Sequence, residues 1–221
     1  MEEKELSQRE SLLLIQQMIQ TAKKEQKDDG KGWILWGWLL FAASVLTVLN
    51  IRFHWFNQAF LFWNAFGGFT ILYFVYKTVA YFLFKKTERV KTYTSDLFAK
   101  LNIGFFISLL FIIISINYGA RVLYTNHGVN DGTPIRIGFA LLINLYAFWV
   151  LIYGTALNFR PAVIGAYCTW AIGFAALFTK TFEQVMLLHA LAVLAGYIIP
   201  GHIANREFKK LHSKENVLEG V

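Results

Sequence analysis

A chain of 221 residues with 56% hydrophobic and 16% charged residues is too apolar for an ordinary soluble domain, in which about 25% of residues are charged. The net charge of +7 would suit nucleic acid, but the basic residues are dispersed in a pattern that a membrane explains better, so no nucleic-acid partner is expected. The single cysteine, Cys168, excludes an internal disulfide framework and a thiolate metal cluster.

Residues 1–32 are polar and hold no signal-peptide core. The first apolar block is therefore expected to direct insertion and to stay in the chain. Ser7-Gln8-Arg9-Glu10 reads as a capping box, with Ser7 as N-cap and Glu10 three positions on. Leu12, Ile15, Met18, Ile19 and Ala22 follow at helical spacing, and Gly30 stops the run. The pattern predicts an amphipathic cytoplasmic arm. Lys23, Lys24 and Lys27 on it suit anionic lipid headgroups. Three uses of the arm stay open: lying on the bilayer, packing on the chain's own loops or a second subunit, and binding a cytoplasmic protein partner.

Residues 33–203 carry six apolar blocks: Trp33–Asn50, Phe60–Phe84, Leu101–Tyr124, Ile135–Asn158, Ala162–Phe178 and Phe182–Ile199. A bilayer core of roughly 30 Å needs about 20 apolar residues per helix, and these blocks have that length. The expected fold is all-α, an integral membrane six-helix bundle preceded by the arm. Thr133-Pro134 reads as an N-cap followed by proline in the first turn, and Pro161 opens the fifth helix in the same way. Pro200-Gly201 is expected to close the sixth. Residues 204–221 form a basic cytoplasmic tail.

Counting Lys and Arg by side sets the orientation. Lys4, Arg9, Lys23, Lys24, Lys27 and Lys31 precede the first span, and Lys85, Lys86, Arg89, Lys91 and Lys100 lie between the second and third. Arg160 follows the fourth span, and Arg206, Lys209, Lys210 and Lys214 follow the sixth. The opposite loops hold only Arg52, Arg121, Arg136 and Lys180. The basic side is cytoplasmic, which predicts six crossings with both termini inside. Trp33, Trp36 and Trp38 at one face, and Trp55 and Trp63 at the other, read as interfacial anchors.

Polar groups inside spans are functional candidates because a charge at a helix centre costs about 2.5–3.5 kcal/mol on insertion scales. Asn64, Asn117, Arg121, Asn144, Glu183 and His189 are the candidate ligand-binding set. Most fall in the outer half, where they could line a pocket with Arg121 paired to Glu183 or Asp131. The competing reading is interhelical hydrogen bonding with Arg121 snorkelling to the headgroups. Lys77 can likewise snorkel to the inner face. His189 and His202 share helix six, but a haem needs a facing axial ligand, and His54 and His127 fall in loops. No cofactor is expected. Gly165, Thr169 and Gly173 recur every four residues, as do Ala192 and Gly196. Such ridges let helices approach closely, within one chain or across a homo-oligomer seam.

HExxH, GxSxG, a Walker loop, GxGxxG and CxxC are all absent. No span holds a carboxylate pair, and the two halves show no repeat of the inverted-transporter kind.

Glu10-Ser11-Leu12, Ile15, Met18-Ile19, Ala22-Lys23, Gly30 and Leu35-Trp36-Gly37-Trp38 together resemble the start of a family of uncharacterised bacterial membrane proteins. The likeness covers about the first 45 residues. It implies a bacterial inner membrane location and no activity. The expectation is a non-enzymatic sensory or regulatory membrane protein. A small-solute transporter or channel is the first alternative, and an enzyme acting on lipid the second.

Overall fold

The computed structural model describes residues 29–83, 93–127 and 132–219. The amphipathic arm and Asp131 lie outside the described residues, as does the side chain of Lys77. Among the described residues the chain is helical, with no strand. The helices are α1 (Lys31–Phe53), α2 (Leu61–Leu83), α3 (Tyr93–His127), α4 (Thr133–Ala156), α5 (Arg160–Leu177), α6 (Phe182–Val193) and α7 (Ile199–Glu219). A single π-helical turn, Leu194–Ile198, joins α6 to α7 without a break. Four stretches are long and apolar enough to cross a membrane: Lys31–Phe53, Lys100–Val122, Thr133–Ala156 and Phe182–Lys210. They mark the chain as a membrane protein.

Local chemistry explains most of the boundaries. Gly30 precedes α1 with φ 69°, and Asp29 Oδ1 accepts from the Lys31 amide at 3.0 Å. α1 ends where His54 turns left-handed at φ 53° and its amide reaches Asn50 O at 2.9 Å. Pro161 occupies the first turn of α5, as expected. At α4 the N-cap is Gly132, with φ 71°, in place of Thr133. The Thr133 hydroxyl instead accepts from Arg136 Nη2 at 2.7 Å, and glycine tolerates the left-handed cap that threonine does not. α6 starts with a full capping box, the Thr181 hydroxyl accepting from the Gln184 amide and the Gln184 side chain accepting from the Thr181 amide.

Pro200-Gly201 does not end the sixth helix. A proline inside an α-helix clashes with the carbonyl four residues back and lacks the amide that would bond it. The π turn just before Pro200 widens the helix by one residue, so the Ile199 amide bonds Leu194 O and the chain continues as α7. The tail expected over residues 204–221 is thus, as far as Glu219, the far end of this rod.

α1, α4, α5 and the α6–α7 rod pack together as the core, with α2 laid against α1 and α3 against α4. Small residues set the spacing. A Cβ at Gly165 would stand 2.5 Å from Ala195 O, one at Gly196 would stand 2.7 Å from Thr169 Oγ1, and one at Gly37 would stand 2.8 Å from Ile198 Cγ1. The Thr169 hydroxyl donates to Gly165 O at 2.8 Å and lies 3.2 Å from Ala192 O. The small-residue ridges of the fifth and sixth helices therefore meet inside one chain. In lipid, helix contact rests on such close packing rather than on expulsion of water. At the end where α1 begins, Asn205 Nδ2 donates to Asp29 O at 2.7 Å and Gly30 lies against the Gly201 carbonyl.

Candidate functional site

The centre of the bundle is polar at a few points only. Ser44, Thr47, Asn50, Thr169 and His189 are its buried polar residues. Ser44, Thr47 and Asn50 repeat every three residues along α1, so they share the face turned to the core. Thr47 donates to Ala43 O at 2.7 Å. Asn50 ties the α1–α2 connection: its Nδ2 donates to Gln58 O at 2.8 Å, and its Oδ1 accepts from the Phe56 amide at 2.9 Å. These groups are consumed by structure.

His189 is different. It is fully buried on α6, with Nδ1 2.8 Å from Ser44 Oγ. The Ser44 hydroxyl is also 2.8 Å from Leu40 O, to which it donates. A hydroxyl has one proton, so with that proton on Leu40 O the oxygen accepts from Nδ1–H. His189 Nε2 is then a bare acceptor, and it has no hydrogen-bond partner among the described residues. Leaving such a group unsatisfied costs about 1–3 kcal/mol. Three aromatic rings stand around it. Trp63 is edge-on at 5.1 Å and 88°, Phe139 edge-on at 5.9 Å and 89°, and Tyr146 tilted at 5.6 Å.

Further rings extend this group in both directions. Phe182 contacts Phe139 at 5.3 Å, Tyr197 contacts Tyr146 at 5.9 Å, and Trp33 bridges Tyr197 and Tyr153 at 5.4 and 4.6 Å. This aromatic column runs through the bundle. Trp33 and Trp63 thus pack inside, and Trp36 packs on Phe66 and Tyr73 of α2. Only Trp38 and Trp55, of the five expected anchors, are strongly exposed.

The six candidate residues do not converge. Asn64 is exposed on α2. Asn117 is exposed on α3 and donates to Ile113 O of its own helix at 2.8 Å. Arg121 is exposed on the same helix, and no ion pair joins it to Glu183, which is half-buried in the first turn of α6. The expected Arg121–Glu183 pair is therefore corrected: among the described residues α3 packs on α4 and touches α2 through Phe106 and Phe74, and it makes no contact with α6, so Arg121 stays apart from the start of that helix. Asn144 faces sideways and accepts from Trp170 Nε1 at 2.8 Å. His189 alone reaches the core. Its partner Ser44 and its ring neighbour Trp63 were not among the expected site residues, although the three-residue spacing of Ser44, Thr47 and Asn50 is visible in the sequence.

Two cavities lie at the flanks. The larger, about 300 Å³, is an apolar groove between α3 and α4 lined by Phe111, Ile116, Pro134 and Ile137. Among the described residues, no three His, Cys, Asp or Glu side chains stand close enough to hold a metal. No protein-family model, no curated protein and no solved structure matches the chain. The N-terminal resemblance accordingly brings no family assignment.

Proposed function

We propose that the chain is a six-span protein of a bacterial inner membrane, with both termini cytoplasmic, and that its role is sensory or regulatory rather than catalytic. The observation that carries this reading is the unbroken rod from Phe182 to Glu219. At about 1.5 Å per residue it is about 57 Å long, against about 30 Å of hydrocarbon. His189 sits in its buried part, and Arg206, Lys209 and Lys210 are exposed beyond Gly201. A change in packing around His189 has a stiff element through which to reach the cytoplasmic side.

The distribution of Lys and Arg supports the orientation. It requires α2 and α5 to cross as well. α2 has 23 residues and α5 has 18, about 35 and 27 Å of helix, which suffices for a thin or locally adapted bilayer. The column of rings argues against a polar path for a solute, the first alternative reading. A cytoplasmic partner at the arm or at α7, and self-association through α3, belong to the same proposal.

The test is made in the native cell. Truncation after Lys210 should reproduce the expression changes caused by deleting the whole gene, while the bundle still inserts. If truncation has no effect and deletion does, the function resides within the bundle, and the sensory reading fails. Saturable solute flux through the purified protein in vesicles would favour the transporter.

A further inference from the structure

His189 Nε2 is buried without a hydrogen-bond partner among the described residues, and with the Ser44 proton on Leu40 O it presents a free lone pair. That chemistry selects its ligand. Ser44 has no proton to offer a ligand, because it donates to Leu40 O. A neutral hydrogen-bond donor fits the bare nitrogen. The rings of Trp63, Phe139 and Tyr146 pack directly on the imidazole, with centroids 5.1–5.9 Å away, so a ligand takes the place that the Trp63 ring leaves, and that slot favours a flat aromatic body.

The way in is under α2. Trp63 stands in the first turn of that helix, and among the described residues the backbone of α2 comes close to α1 only, its other contacts being made by side chains such as Trp63 and Phe74. One turn later come Gly67 and Gly68. A Cβ on either would meet nothing within 4 Å, so close packing does not explain the pair. Adjacent glycines are where helices bend. Bending there moves the turn that carries Trp63 off His189 and off Phe139 of α4, while α1, α4 and α6 keep their packing on one another.

We propose that His189 is the polar anchor of an occluded site for a planar, membrane-dissolved phenol or quinol, with the Trp63 turn of α2 as its lid and Gly67–Gly68 as the hinge. The ligand's O–H donates to Nε2, its ring replaces that of Trp63 beside Phe139 and Tyr146, and an aliphatic tail leaves along α2 into lipid. This deepens the sensory reading and rests on it, for it names what would be sensed.

The test uses the full chain in nanodiscs. The probes are naphthohydroquinone, kept reduced, and its dimethyl ether, which has the same ring but no donor. The hydroquinone should bind above its partition into empty nanodiscs, at least tenfold better than the ether. His189→Phe should abolish that preference. Gly67→Ala with Gly68→Ala should slow association several-fold.

A second measurement needs no variant. Diethyl pyrocarbonate should acylate His189 slowly, as the lid opens, and the hydroquinone but not the ether should block it. Equal binding of hydroquinone and ether overturns the site. So does a His189 that is never acylated, or is acylated at the same rate with and without probe. Binding without any effect of truncation after Lys210 would keep the site and remove the sensory role, so the two failures are separable.

Discussion

One methyl group added at Gly165 and one added at Gly104 should move stability in opposite directions. At Gly165 the new Cβ would stand 2.5 Å from Ala195 O and 3.1 Å from Pro200 Cγ. The first is a backbone atom in the π turn, on a helix held by α1 and α5, and it cannot rotate away. α5 must separate from the rod by several tenths of an ångström, and the Thr169 bond across the same seam stretches with it. Overpacking of this kind costs about 1–3 kcal/mol. The helix-propensity gain of alanine over glycine, about 0.5–1 kcal/mol, offsets only part of it. At Gly104 the Cβ would meet nothing within 4 Å, so only the propensity gain remains. Gly165→Ala should lose on the order of 1–2 kcal/mol, and Gly104→Ala should gain a few tenths to about 1 kcal/mol. Reversible unfolding by a denaturing detergent in mixed micelles, followed by circular dichroism, gives both numbers. A neutral Gly165→Ala, or an equal loss at Gly104, would refute the packing argument.

Ser44→Ala should cost about 1–3 kcal/mol, because it strips His189 Nδ1 of its partner as well as removing a back-bond. Thr47→Ala, which loses only the bond to Ala43 O, should cost less than half as much in the same assay. Asn50→Ala breaks the three bonds that hold the α1–α2 connection. It should make residues 54–60 sensitive to added protease while the core helices keep their protection against hydrogen exchange.

The helices were legible in the sequence because bilayer thickness imposes their length and apolarity, and each expected span overlaps a helix. The charge count alone favoured six crossings, and composition alone already marked the chain as a membrane protein. What escaped is contact geometry. Pro200-Gly201 carries every sign of a stop, and only the π turn, which no composition rule reveals, lets the helix pass through it. Arg121 and Glu183 were matched by depth, but depth does not say which helices adjoin, and α3 proved to be peripheral. His189 was singled out for its chemistry. Its surroundings depend on α1 and α2, whose contributions are Ser44, which no sequence pattern singles out as a partner of His189, and Trp63, which reads as an interfacial anchor. The flanking helices were the hardest to read, since α3 has no buried residue in its span and an apolar helix looks the same whether it faces lipid or core.

The account stands on six crossings, and α2 and α5 are the two that composition and length support least. Single cysteines at Asn57, Thr94, Asn158 and Thr179, placed in a Cys168→Ala background, test both at once by labelling with a membrane-impermeant maleimide in intact cells. Asn57 and Thr179 should label from outside, and Thr94 and Asn158 only after the membrane is opened. Labelling of Asn57 and Thr94 from the same side would show that α2 does not cross. The same result for Asn158 and Thr179 would show it for α5, and either outcome would contradict the topology on which the proposed function depends.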